Sequence, residues 1–134
     1  LVLASVSGKN RGPVELALAC RECGVKTIGF TSLAYTQRVA AAHPSGKKLC
    51  DVVDVVIDNG APYGDAAVDI TGYEFKLLPV SGVAMAVIGH MLWGRVMEKM
   101  AAAGKPAAVF MSVNRDGGPE HLKKTQELFE TRGY

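Results

Sequence analysis

The sequence predicts an α/β domain, a parallel β-sheet layered between helices in a three-layer αβα arrangement. Three observations predict it. Short apolar runs occur at Leu1 to Ser5, Lys26 to Thr31 and Val52 to Ile57, the form of buried strands. Loops of small polar residues follow the first two, and Asp58-Asn59-Gly60 closes the third. Helical segments separate the runs, so residues 1 to 60 alternate strand, helix, strand, helix, strand. That alternation is the pattern of parallel strands with crossover helices.

The elements follow in order. Leu1 to Ser5 is a buried strand that runs into the loop Ser7-Gly8-Lys9-Asn10-Arg11-Gly12. Pro13 suits the first turn of a helix. Val14, Leu16, Ala17, Leu18 and Ala19 give that helix an apolar surface, and Gly24 stands where a C-terminal cap glycine belongs. Lys26 to Thr31 is the second strand, and Ser32 opens its loop. Leu33 to Ala42 is predicted helical, stopped by Pro44 and Gly46. Val52 to Ile57 is the third strand. Residues 59–79 form a long irregular connection with one extended segment, and long loops are often functional. Met85, Ile88, Leu92, Val96 and Met100 fall at helical spacing within a helix from Val83 to Ala103, with Ser81 as cap. Gly104 and Pro106 end it. Ala107 to Met111 is a short strand or an extended tail. Gly118-Pro119-Glu120 starts a last, charged helix that runs to Thr131.

The chain has 134 residues, which fits one domain. Hydrophobic residues are 49% and charged residues 21%, so a packed core is expected rather than disorder. The 15 basic and 13 acidic residues nearly cancel, which argues against nucleic acid or a membrane surface as partner. No stretch reaches the roughly 18–20 apolar residues that span a bilayer. The longest candidate, Val80 to Trp93, is broken by Ser81, Gly82, Gly89 and His90. The opening run is short and lacks the basic flank of a signal peptide. Cys20, Cys23 and Cys50 are too few for a disulfide framework, and their odd count fits a reducing, cytoplasmic setting. Cys20 and Cys23 have no second pair to complete a zinc site and read as two thiols near one helix face. The first residue is Leu1 and not Met, so the chain reads as a piece whose beginning lies elsewhere.

The segment Ser5-Val6-Ser7-Gly8-Lys9-Asn10 carries the most chemistry. It joins a buried strand to a helix N-terminus, where unpaired N–H groups and the helix dipole favour an anion. Ser5, Ser7 and Asn10 add short polar groups, Gly8 permits a tight turn, and Lys9 adds charge. Such a cradle suits a phosphate monoester. It lacks the Lys-Ser/Thr end of a Walker A loop and the G-x-G-x-x-G of a dinucleotide fingerprint. An ordinary strand–turn–helix corner with capping serines explains the same residues, and on spacing alone both readings stand.

The S-x-S-G run with Asn10 two positions on resembles the phosphosugar loop of the SIS (sugar isomerase) family. Ser7-Gly8-Lys9-Asn10 with Pro13-Val14-Glu15-Leu16-Ala17 resembles a poorly characterised bacterial branch labelled sugar isomerase domain-containing protein or phosphoheptose isomerase. Thr31-Ser32-Leu33-Ala34-Tyr35, His43-Pro44-Ser45-Gly46-Lys47-Lys48-Leu49, Asp58-Asn59, Gly64-Asp65-Ala66 and Ser112 to His121 extend the likeness along the chain. The family usually has Thr at the position of Asn10. The resemblance implies a flavodoxin-like, five-stranded sheet of which strands three to five are present, with the two N-terminal strands and a helical arm missing. That leaves a bare sheet edge, which invites pairing, and implies a homo-oligomer, dimer or tetramer, or else a marginal fold.

The resemblance also implies phosphosugar binding by Ser5, Ser7, Gly8, Lys9, Asn10, Ser32, Ser45, Lys47 and Asp65. Ser32 serves equally as a helix cap, and Asp65 as a turn cap. His43 and Glu15 are the catalytic candidates, because proton transfer between adjacent carbons needs a base and His exchanges protons near neutrality. The plain alternatives are a surface His beside a turn and a carboxylate that favours the helix N-terminus. His90 lies where zinc-dependent phosphoheptose isomerases carry a ligand, but Gly82 replaces the Gln that should precede it, so no metal and no cofactor are expected. His121, with Glu120, reads as a helix cap. The expected function is isomerisation of a small phosphorylated sugar. A non-catalytic phosphosugar-sensing module and an amino-sugar phosphate lyase or etherase are the alternatives.

Overall fold

The computed structural model describes residues 1–133. The elements are β1 (Val2–Ala4), α1 (Arg11–Glu22), β2 (Ile28–Thr31), α2 (Leu33–Thr36), α3 (Leu49–Val52), β3 (Val55–Asp58), β4 (Ala66–Val68), β5 (Leu77–Pro79), α4 (Ser81–Ala102) and α5 (Gly118–Arg132). The chain divides into two compact units, Leu1–Gly89 and a second from His90 onward.

In the first unit β1, β2 and β3 form a parallel sheet in that order. Val2 pairs with Ile28 and Ile28 with Val55, and Thr31 pairs with Asp58 at the far end. The core is Leu3, Val14, Ala17, Leu49, Val52 and Val53, with Leu18 packed against it. Val14 and Ala17 come from α1, Leu49 and Val52 from α3, so these two helices close over the sheet. The small residue Gly29 lets α3 approach β2: a Cβ there would meet Val53 at 3.0 Å. The predicted α/β architecture with three parallel strands is present. Val2 and Val55, at the two ends of the row Val2–Ile28–Val55, are exposed.

Three elements differ from expectation. The helix expected from Leu33 to Ala42 ends at Thr36. Its Thr36 carbonyl, which a continuing helix would offer to residue 40, instead accepts from Lys48 Nζ at 2.5 Å. The third strand begins at Val55 and not Val52, because Leu49 and Val52 are spent in the core from the short helix α3. Asp51 Oδ2 stabilises the start of α3 by accepting from Lys48 N at 2.7 Å. The connection 59–79 holds an antiparallel pair, β4 with β5, where one extended segment was expected. In the second unit residues 105–112 form the extended tail and not a strand. Val109 O ties it to α5 by accepting from His121 Nε2 at 2.9 Å and Thr125 Oγ1 at 3.3 Å.

Candidate functional site

The loop after β1 is fixed from below. Ser5 N donates to Phe30 O at 2.9 Å and Ser32 N to Val6 O at 2.9 Å, which extends the β1–β2 pairing past the strand. The chain then turns at Gly8, whose φ of 62° lies in the left-handed region that glycine tolerates. Two buried hydroxyls lie under this turn. Thr31 Oγ1 donates to Val6 O at 3.2 Å and Thr36 Oγ1 to Ser7 O at 3.0 Å. A Cβ on Gly8 would sit 3.0 Å from Thr31 Oγ1 and 3.1 Å from Thr36 Oγ1. Glycine is therefore required twice, for its φ and for its missing side chain.

Above the turn α1 begins. Asn10 is its N-cap residue, in extended conformation, and its side chain makes no capping bond. No acidic residue occupies the first turn. The first amides of a helix have no partner within it, and here no side chain of the cap supplies one. Ser7 is only 8% exposed, and its hydroxyl has no hydrogen-bond partner among the described residues. Lys9 and Asn10 are exposed beside it. Ser5 is half-buried at the strand end.

The segment around His43 is stitched to this loop. Ala42 N donates to Lys9 O at 3.0 Å and Leu49 N to Gly8 O at 2.8 Å. Between them His43 to Gly46 forms a tight turn, closed by Gly46 N to His43 O at 2.9 Å. His43 Nδ1 accepts from Ser45 N at 3.1 Å and lies 2.7 Å from Ser45 Oγ. An N–H aimed at Nδ1 needs a lone pair there, so the ring proton resides on Nε2. Nε2 is 3.9 Å from Glu15 Oε1, and the His43 side chain is 12% exposed. Arg11 Nε holds the same Glu15 oxygen at 2.7 Å. Thus α1 supplies a carboxylate and the 42–49 segment an imidazole, both beside the loop that carries the unpaired amides. A carboxylate and an imidazole side by side are groups of the kind that pass a proton in acid–base catalysis. Ser45 and Lys47 are both exposed, and Ser45 Oγ accepts from Lys47 N at 3.3 Å.

Two other expected ligands are engaged elsewhere. Ser32 is fully buried; its Oγ caps α2 by accepting from Tyr35 N at 3.0 Å and donates to Ala61 O at 2.5 Å. The Asp65 carboxylate anchors the start of α4. It accepts from Val80 N at 3.1 Å, Ser81 N at 2.8 Å and Ser81 Oγ at 2.6 Å. Asp65 reaches this position with φ of 68°, which a short polar residue tolerates better than most. Both residues thus hold helix starts, Ser32 that of α2 and Asp65 that of α4.

The sequence reading did not single out Thr31, Thr36, Arg11 or Asn59 as parts of the site. The first two support the turn, Arg11 holds Glu15, and Asn59 closes β3 beside Ser32. Only the x-x-x spacing of Arg11 and Glu15, a helical i,i+4 pair, was visible beforehand. Outside this region, Lys26 Nζ, Thr27 N and Thr27 Oγ1 donate to Asp54 at 2.7, 2.9 and 3.0 Å. The Lys26 bond first, then those from Thr27, holds the Asp54 carboxyl well below the usual carboxylate range. Burial, reinforced by the charge of Asp51, pushes the Cys50 thiol up. Among the described residues no three His, Cys, Asp or Glu side chains group as metal ligands, and no helix is long and apolar enough to cross a membrane.

No protein-family model matches the chain. It is 37% identical over 134 residues to a UPF0309 protein of Caldanaerobacter subterraneus subsp. tengcongensis, covering 98% of this chain and 54% of that protein. A UPF0309 protein of Shouchella clausii is 35% identical over 127 residues, 95% of this chain and 52% of the relative. One from Listeria innocua is 35% identical over 132 residues, 98% of this chain and 53% of the relative. The chain therefore spans about half the length of the curated relatives it matches. These findings correct the family resemblance drawn from the motifs. The relatives carry the UPF0309 name, and nothing in them or in the family models points to the SIS family or to phosphoheptose isomerase. Over nearly its whole length, the chain is similar to the UPF0309 proteins.

Proposed function

We propose that the chain binds a small phosphorylated sugar at the carboxyl end of its parallel sheet, with the phosphate on Ser7, Gly8, Lys9, Asn10 and the first turn of α1. The observation that carries this reading is Ser7, a residue only 8% exposed whose hydroxyl has no partner among the described residues, next to a helix N-terminus without a side-chain cap. Crevices beyond the carboxyl ends of parallel strands are the usual ligand positions in open sheets, and a flavodoxin-like arrangement of a larger sheet is part of the proposal.

The chemistry is isomerisation by proton transfer. A base takes the proton from the carbon beside the sugar carbonyl, and the carbon–hydrogen pair becomes the enediol double bond as the carbonyl oxygen is protonated. Return of a proton to the former carbonyl carbon, with loss of the O–H proton from the neighbouring hydroxyl as its oxygen becomes the new carbonyl, gives the isomer, with no net oxidation. Glu15, held by Arg11 and facing His43 Nε2 at 3.9 Å, supports this pair as the base and its proton partner. The second reading is a sensing module without turnover, favoured by the exposure of Lys9, Lys47 and Ser45, which leaves the site open to exchange. The exposed Val2 on the edge strand β1 supports self-association. Three unbridged cysteines support a reducing, cytoplasmic setting.

Incubation of the full chain with a panel of hexose and pentose phosphates in D₂O tests the enzyme reading. Deuterium uptake at the carbon next to the carbonyl is expected, with loss in Glu15→Gln. Binding with no uptake for any member assigns the sensing module instead.

A further inference from the structure

A second polar group at the same end of the sheet has no partner. Asn59 follows β3 and is 7% exposed. Its backbone N continues the parallel pairing by donating to Thr31 O at 2.9 Å. Its Oδ1 accepts from Ala61 N at 3.0 Å, which fixes the orientation of the carboxamide. The Nδ2 group is then left buried with no acceptor. A buried donor left unmade is destabilising and rare in folded proteins. Flipping the amide does not rescue it, because Ala61 N would then face a second donor.

The turn that follows is tied down beside this group. Ala61 is 1% exposed, its N is bound by Asn59 and its O by Ser32 Oγ at 2.5 Å. Gly60 and Gly64 flank the turn with φ of 69° and 85°, and a Cβ at either would meet nothing within 4 Å. Gly60 N is held by Asp58 Oδ1 at 3.0 Å, so the turn opens only when these bonds are given up, and the two glycines then let the backbone change direction at its ends without steric cost. β1 and β3 are the two neighbours of β2, so their carboxyl ends lie roughly 10 Å apart. That span matches the distance from the phosphate to the far hydroxyls of a sugar phosphate.

We infer that the Asn59 carboxamide is the second anchor of the ligand: its Nδ2 donates to a sugar hydroxyl or carbonyl oxygen when the turn 60–64 moves aside. This deepens the phosphosugar reading and rests on it. Serine and amide loops at the β1 end hold the phosphate, and Asn59 reads the polyol that distinguishes a sugar phosphate from phosphate alone.

The test titrates the full chain, ¹⁵N-labelled, with inorganic phosphate and separately with a panel of hexose and pentose phosphates. At least one member is expected to bind tenfold or more tightly than inorganic phosphate, and to shift the Asn59 side-chain NH₂ signals together with the Gly60 and Ala61 amides. Asn59→Asp keeps the acceptor for Ala61 N and removes the free donor. It is expected to erase the tenfold advantage and leave inorganic phosphate affinity within twofold. An advantage that survives Asn59→Asp, or sugar phosphates that never outbind inorganic phosphate, overturns the inference. The Asn59 side-chain signals of the unmodified chain decide the matter if the variant does not fold: no shift on binding overturns it. Failure of inorganic phosphate to shift the 7–12 amides would instead overturn the anion site itself.

Discussion

Replacing Gly8 by Ala strikes the one turn on which the proposed site depends. The Ala side chain meets two penalties. The backbone φ of 62° costs an L-residue about 1–2 kcal/mol. The new Cβ also starts 3.0 and 3.1 Å from Thr31 Oγ1 and Thr36 Oγ1. Both oxygens must retreat by a few tenths of an ångström, which strains their bonds to Val6 O and Ser7 O; losing one such buried bond costs about 1–3 kcal/mol. Together the substitution is expected to cost about 2–5 kcal/mol, or roughly 10 °C in Tm for a chain of this size. Gly12→Ala is the control, since no atom lies within 4 Å of its Cβ and it sits in the first turn of α1. It should be neutral or slightly stabilising. Thermal unfolding followed by circular dichroism reads both. Adding Thr36→Ala to Gly8→Ala should cost less than the sum of the two single changes, because the contact is already relieved. A Gly8→Ala chain as stable as the parent would refute the reasoning about the turn.

Three further outcomes follow from the same geometry. Asp54 is paired in the folded chain and its carboxyl is depressed, so its contribution is complete above about pH 5 and is lost as pH falls below about 4; urea midpoints of parent and Asp54→Asn should differ at pH 6 and converge towards pH 2. Lys48→Met removes the donor from Thr36 O and should cost about 1–2 kcal/mol, read as a lower urea midpoint with unchanged slope. Cys50, raised by burial and Asp51, should react with iodoacetamide at pH 7 more slowly than exposed Cys23, as peptide mass mapping would show; equal rates would count against the burial argument.

The parallel core was legible because its signals are local. β-Branched runs, Pro13 in the first turn and the glycine at position 24 act within a few residues of themselves, and β1, β2 and α1 lie where those residues put them. The strand–loop–helix corner after β1 was legible for the same reason, since strand end, small residues and helix start are contiguous. What was missed depends on partners far apart in sequence. Thr36 ends α2 because Lys48, twelve residues on, takes its carbonyl. Val52 looked like a strand residue because a β-branched apolar side chain suits either element, and only packing against α1 decides for helix. The bonds from Asp65 to the start of α4 were not legible because a lone carboxylate after Gly64 gives no hint of a helix start at Ser81, sixteen positions later. The family resemblance failed for a different reason: short polar motifs shaped by a loop recur wherever the loop recurs, and they do not by themselves fix descent.

The central claim is an anion site at the junction of β1 and α1. Its most direct test is a ¹H–¹⁵N titration of the full chain with inorganic phosphate, run beside Ser7→Ala. The account predicts saturable shifts of the residue 7–12 amides, Pro13 carrying none, and at least a fivefold weaker affinity in the variant. Shifts spread evenly over the surface, or a Ser7→Ala chain that binds phosphate as well as the parent, would contradict it.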